Sequence, residues 1–262
     1  MEMSKTSGKD LRQRAFELDL VRGIAIIFMV LYHFMWDANY LFGWKVLRFM
    51  IEDSYDVFAK TLNLVAFVGV SGICCSFTRS YVKRALKIGI CAVGLTIITY
   101  VATSLGFDCL IIFNVLHLVT LGIIVLGLVN WIRIKTNASV NQTAAVVGII
   151  GLWIILIGQE IGALRGAVEG DFLIPFGILG DNILSMADYM PIFPWLGVFM
   201  VGAVIGMLCY SEKRSLWPNA PEKLRKVTRP IEFLGRYSLV VYIVHQPVLL
   251  LMLVLLKTLG LI

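Results

Sequence analysis

Charge is scarce in this sequence. Only 15% of its 262 residues are Asp, Glu, Lys or Arg, and 59% are hydrophobic. A soluble domain carries about 25% charged and about 45–50% apolar residues. The imbalance excludes a water-soluble enzyme and points to an integral membrane protein. Alternating segments of about ten residues, which a membrane barrel requires, are also missing, so the spanning structure is helical. No internal repeat is visible. The five cysteines (Cys74, Cys75, Cys91, Cys109, Cys209) include no CxxC pair and no Cys/His ligand spacing. They read as packing residues, and no metal is expected. The net charge of +6 has no soluble domain to present it to nucleic acid, so the cations are assigned to loops. The polar N-terminal stretch has no small-residue cleavage site, and the first apolar run is expected to be a retained span.

A membrane-crossing helix needs about 20 apolar residues. Seven such runs are present, at 20–42, 58–78, 85–105, 110–131, 143–161, 191–210 and 237–258. The expected fold class is all-α, a polytopic bundle of about seven transmembrane helices forming one domain over 1–262. A polar tail covers 1–17, a long loop 162–190 and a basic loop 211–231. Loop cations set the orientation. Sixteen lie on one side: Lys5, Lys9, Arg12 and Arg14; Arg79, Lys83, Arg84 and Lys87; Arg133 and Lys135; and Lys213, Arg214, Lys223, Arg225, Lys226 and Arg229. The opposite loops hold four, Lys45, Arg48, Arg165 and Lys257. This places the N-terminus in the cytoplasm and the C-terminus outside. A multi-pass protein of a bacterial cytoplasmic membrane is the expected setting. Gly158/Gly162 and Gly202/Gly206 have GxxxG spacing, which implies close helix packing in the bundle, with a homodimer seam as the alternative.

Against this apolar background the polar residues stand out. The segment Leu18–Leu41 carries Asp19, Arg22, His33 and Asp37, and ionisable groups inside a bilayer are costly and usually functional. A helix turns about 100° and rises about 1.5 Å per residue, so Arg22 and His33 lie near one face, about 16 Å apart. Asp37 is one turn beyond His33, placed to orient it, and Asp19 is one turn from Arg22, placed to pair with it. All three histidines lie in spans. His117 follows Asn114, and His245 shares a face with Tyr242 and precedes Gln246 and Pro247. Asn63 falls in the second span, and Asp188, Tyr189 and Trp195 open the sixth. Similar depths on five helices predict one polar cavity opening outward from mid-membrane. On the other side Arg22, Arg79, Lys83, Arg84 and Arg236 form a ring of cations suited to a phosphorylated ligand. A neutral imidazole held by a carboxylate is a prepared general base, which favours an enzyme. A transporter of a small polar solute is the alternative, and a haem or quinone redox protein a third reading.

Several stretches then carry a resemblance. LDLVRGIAIIFMVLYHF, with Arg22, ten residues and His33, resembles the opening of the transmembrane acyltransferase superfamily. FVGVSG (67–72), FTRSYVKRALK (77–87) and LGRYSLVVYIVHQPVL (234–249) are similar to its second helix, basic inner loop and closing helix. FNVLH (113–117) and ADYMPIFPWLGVFMVG (187–202) resemble the heparan-α-glucosaminide N-acetyltransferase catalytic-domain family in its small bacterial form. The resemblance implies transfer of an acetyl group from cytosolic acetyl-CoA, as co-substrate, to an amine or hydroxyl of an amino-sugar or glycan on the outer side. It makes His33 the catalytic histidine, supported by Asp37, and Arg22 the inner-side partner of the coenzyme. It sets Asp188, Tyr189 and Trp195 at the acceptor mouth. Asn63, Asn114, His117, Tyr242 and His245 are then the expected oxyanion donors and supports, and Arg79, Lys83, Arg84 and Arg236 the expected further coenzyme contacts.

Overall fold

A computed structural model describes residues 15–51, 53–107, 109–162, 171–178 and 188–262. These residues are helical, and no strand occurs among them. The elements are α1 (Phe16–Trp36), a π-helical turn (Asp37–Leu41), a 3-10 turn (Arg48–Ile51), α2 (Asp53–Ser76), α3 (Tyr81–Ser104), α4 (Val115–Thr136), α5 (Val140–Gly162), a second 3-10 turn (Asp171–Phe176), α6 (Ile192–Cys209), α7 (Glu222–Arg236) and α8 (Ser238–Thr258). The first fourteen residues lie outside the described residues, as do 163–170 and 179–187 of the expected outer loop, with Arg165, Glu169 and Asp181.

Among the described residues six helices are long and apolar enough to cross a membrane: α1 with its π turn, α3, α4, α5, α6 and α8. The second of the seven expected spans is α2. Its apolar stretch among the described residues is Lys60–Ser76. The basic loop expected at 211–231 is a helix from Glu222 onward. Its buried residues are Thr228, Glu232 and Gly235, so the helical period is written in polar and small residues that a hydrophobic pattern does not register.

The chain forms two compact units, residues 1–67 with 213–262, and residues 68–212. In the first unit α1 packs on α7 and α8. A Cβ at Gly23 would collide with the Ile231 carbonyl, and one at Gly235 with the Asp19 carbonyl. The two backbones therefore meet, as small residues permit in membranes. Ion pairs accompany that approach. Asp19, 3% exposed, accepts from Arg236 Nε at 3.2 Å. Glu232, 1% exposed, accepts from Arg225 at 3.2 Å and Thr228 Oγ1 at 2.7 Å, with Arg236 a further 3.6 Å contact. Buried acids persist where donors surround them in this way.

In the second unit α5 and α6 make the most extensive pairing. Gly197 lies on the Gly151 carbonyl and Gly158 on Pro194. Gly202 meets Gly69, Gly206 meets Ile73 and Gly72 meets the Phe199 carbonyl, so the α6 glycines pack against α2. The Phe199 ring sits on Gly122 of α4 and is fully buried with Leu118, Ile123, Leu126 and Ala203. The exterior is apolar, with Ile90, Ile97, Leu152 and Trp153 exposed, as a lipid-facing surface requires.

Gly202→Val forces a branched side chain into the Gly69 backbone, and overpacking of this kind costs about 1–3 kcal/mol. It is expected to lower the thermal unfolding midpoint in detergent. Gly94 has open space around its Cβ position, so Gly94→Ala is expected to leave that midpoint unchanged or raise it. Equal destabilisation by both would contradict the packing described.

Candidate functional site

The first unit gathers polar groups at the Trp36 end of α1. His33 faces His245 of α8, with ring centroids 4.9 Å apart and planes inclined 58°. His245 is anchored through Nδ1, 2.6 Å from the Tyr242 carbonyl. A carbonyl only accepts, so Nδ1 carries the proton of this bond. The Tyr242 ring lies 5.7 Å from the same imidazole. Tyr32 stands edge-on to His33 at 5.9 Å, and the Lys60 ammonium lies over the Tyr32 ring, 5.2 Å from its centroid. Asn63 is half-buried farther along α2.

Asp37 does not hold His33. It is 1% exposed, and its carboxylate accepts from Gln246 Nε2 of α8 at 2.8 Å. At Asp37 the helix widens to π geometry, with Phe42 N donating to the Asp37 carbonyl at 3.1 Å, and the regular register ends there. Such π segments are frequent at functional sites. Asn39 secures the widened turn by donating to the Met35 and Val46 carbonyls, both at 2.8 Å. Gln246 Oε1 is buried and has no hydrogen-bond partner among the described residues, which leaves an acceptor atom beside His245. Gln246 and Lys60 were not singled out as site residues from sequence. Gln246 had a signal, as an amide inside an apolar run next to a histidine.

At the Phe16 end of α1 the partners also differ from expectation. Asp19 pairs with Arg236, not Arg22. Arg236 comes from α7, far away in sequence, so helix spacing alone did not reveal it. Arg22 is half-buried and has no ion pair among the described residues. Because α1 is unbroken from Phe16 to Trp36, Arg22 and His33 stand about 16 Å apart along one helix.

The second unit uses its expected site residues differently. Asn114 is fully buried and caps α4, its side chain accepting from Leu116 N at 3.1 Å and His117 N at 3.4 Å. His117 closes the capping box. Its Nδ1 is 3.3 Å from Asn114 N and 2.9 Å from Asn114 Oδ1, and its Nε2 is 3.4 Å from Thr96. Thus FNVLH carries a helix start. An Asn immediately before an apolar run is the signal that marks it. The segment 188–195 lies at the same end, with Met190 N donating to the Phe113 carbonyl at 3.2 Å. Tyr189 donates its hydroxyl to the Ile174 carbonyl. Asp188 has a left-handed backbone, and Asp188 and Trp195 are both half-buried. Arg84 donates to the Cys74 carbonyl at 2.6 Å and Thr78 Oγ1 at 2.7 Å, tying down the end of α2. Arg79 and Lys83 are exposed. No group of three or more potential metal ligands occurs among the described residues.

Six apolar helices among the described residues define a multi-pass membrane protein, and two of them bring the His33 and His245 imidazoles together. The model of the family described as heparan-alpha-glucosaminide N-acetyltransferase, catalytic, matches residues 14–247, and the chain belongs to that family. The family is one of membrane-bound N-acetyltransferases, so the chain is an enzyme of the acyltransferase class. No curated protein matches the chain, and neither does any solved structure.

The Asp37–Gln246 bond predicts an asymmetric mutant pair. Gln246→Leu leaves a buried carboxylate without its donor and is expected to destabilise the protein by about 1–3 kcal/mol in thermal unfolding. Asp37→Asn still accepts through its amide oxygen and is expected to cost less. The reverse order would show that this bond does not hold α1 to α8.

Proposed function

We propose that the chain transfers an acetyl group from acetyl-CoA to an amine or hydroxyl of a sugar or glycan acceptor. In this reading His33 acts as general base or acyl carrier. The observation that carries the proposal is the His33–His245 pair, whose His33 lies on the same unbroken helix as Arg22. Arg22 is the cation on α1 that is left for an anionic ligand, since Asp19 is taken by Arg236. A coenzyme phosphate held at Arg22 sends its pantetheine arm along α1 and brings the thioester beside His33. The acceptor nitrogen or oxygen attacks the thioester carbonyl while His33 removes its proton. The tetrahedral intermediate collapses with loss of the CoA thiolate, which is then protonated. General-base assistance of this kind contributes about 10²–10⁴-fold. In the acyl-carrier version the imidazole attacks first, the thiolate leaves, and acetyl-His33 passes its acyl group to the acceptor.

The supporting groups divide by unit. Around His33, His245 faces the imidazole and Tyr242 packs on His245, Asn63 is a candidate oxyanion donor, and Gln246 Oε1 can accept from the acceptor's N–H or O–H. Asp37 positions Gln246 and acts on His33 through α8. Asp188, Tyr189 and Trp195 are assigned to the acceptor. Arg79 and Lys83, with exposed side chains, are assigned to coenzyme phosphates. Arg84 and Arg236 are assigned to holding helices, and Asn114 with His117 to the start of α4. The loop-charge pattern supports a cytoplasmic N-terminus, coenzyme entry from the cytoplasm and an acceptor on the outer side of a bacterial cytoplasmic membrane.

Acetyl-CoA is expected to raise the melting temperature of the detergent-purified protein, because a ligand of the native state stabilises it. No shift at millimolar coenzyme would favour a transporter. Arg22→Ala is expected to raise the apparent KM for acetyl-CoA more than that for the acceptor. The opposite split would move the coenzyme away from Arg22.

A further inference from the structure

α7 commits one face and leaves the other without an assigned role. Its rotation is fixed by Thr228, Glu232 and Gly235 on the α1 side, and by Arg225, whose guanidinium lies over the Phe16 ring at 4.0 Å. At about 100° per residue, the opposite face carries Lys223, Lys226, Pro230, Phe233 and Tyr237, flanked by Val227 and Arg229. All seven are exposed. Cations alternate here with large apolar groups, and Val227 is 74% and Phe233 58% exposed. Lys226 has an exposed partner, Glu222, at 3.3 Å, and such a surface pair contributes little. Lys223 and Arg229 have no ion pair among the described residues.

The chain path says what meets this face. α7 connects α6, which ends at Cys209, to α8, which begins at Ser238, and both flanking helices are apolar enough to cross a membrane. Only Tyr237 separates α7 from α8. The last turn of α7 therefore lies at the edge of the hydrocarbon that α8 enters. Phe233 and Tyr237 pack together there with centroids 4.7 Å apart. The stretch before α7 has the same character. Leu216 and Trp217 are exposed, and Glu17 holds them in place by accepting from Ser215 Oγ at 2.7 Å and Leu216 N at 2.8 Å.

We propose that α7, with Leu216 and Trp217, is an interfacial helix that binds the anionic phospholipid headgroups of the bilayer its neighbours cross. The aromatic side chains sit at the acyl boundary, and Lys223, Lys226 and Arg229 contact lipid phosphates. The buried ion pairs to α1 and the lipid contacts then act on opposite faces of one helix. Lipid charge is thereby linked to the packing of the unit that contains His33.

The test uses the full chain in neutral detergent, with thermal unfolding followed as phosphatidylglycerol or phosphatidylcholine is added. Phosphatidylglycerol is expected to raise the wild-type melting temperature more than phosphatidylcholine, and high salt to shrink the difference. The triple variant Lys223→Gln, Lys226→Gln, Arg229→Gln is expected to melt normally in phosphatidylcholine and to lose most of the phosphatidylglycerol increment. Should the triple variant not fold, Lys223→Gln and Arg229→Gln singly are each expected to remove part of it. Equal stabilisation of the wild type by the two lipids, or a full increment in the variants, would overturn the proposal. Acetyl transfer plays no part in the readout, so this test stands or falls apart from the catalytic assignment.

Discussion

A hydrocarbon interior offers a buried carboxylate nothing to bond, so the acids on and beside α1 take partners from elsewhere in the chain. That requirement organises the first unit. Asp19 at one end of α1 is met by Arg236 of α7, and Asp37 at the other by Gln246 of α8. The two bonds fix the ends of a helix that carries Arg22 and His33 between them. Glycines at Gly23 and Gly235 allow the backbones to come close enough for the first of these pairs to be buried. Asp19 and Asp37 thus tie the two ends of α1 to α7 and α8, and the second bond lies next to His245, which faces His33.

The second unit meets the same solvent with fewer charges. Its helices are held by glycine contacts along α6 and by local caps, with Ser80 at α3 and Asn114 at α4. Capping is worth about 1 kcal/mol per helix start. Here it also absorbs polar atoms that apolar surroundings leave otherwise unserved. His117 belongs to that scheme, since both its ring nitrogens lie within hydrogen-bond reach of Asn114 and Thr96. The three histidines therefore do different work. His117 closes a helix start, His245 is anchored to its own helix, and His33 has contacts to rings only among the interactions described. That difference supports the proposed role of His33 in acetyl transfer.

Much of this was legible in the residues. Six of the seven apolar runs coincide with helices apolar enough to cross a membrane among the described residues, and Arg22 and His33 fall on one unbroken helix. Partners across helices were not legible. Gln246 is 209 residues from Asp37, and no local spacing rule reaches that far. The i, i+4 relation to His33 holds in the backbone, where Asp37 N bonds the His33 carbonyl, but the Asp37 carboxylate takes its partner from α8. α7 was taken for a loop since its buried face is Thr228, Glu232 and Gly235, and its apolar residues point outward. In each case the sequence pattern held the relevant residues, but the physical partner that gives them meaning lay on another element.

The central claim is that His33 handles the proton or the acyl group. The most direct measurement is the initial rate of radiolabelled acetyl transfer from acetyl-CoA to the acceptor by His33→Ala in proteoliposomes, with protein folding verified by its wild-type melting temperature. The account predicts a rate at least about 10²-fold below wild type, the lower end of what a general base contributes. A folded His33→Ala protein turning over at the wild-type rate would contradict it.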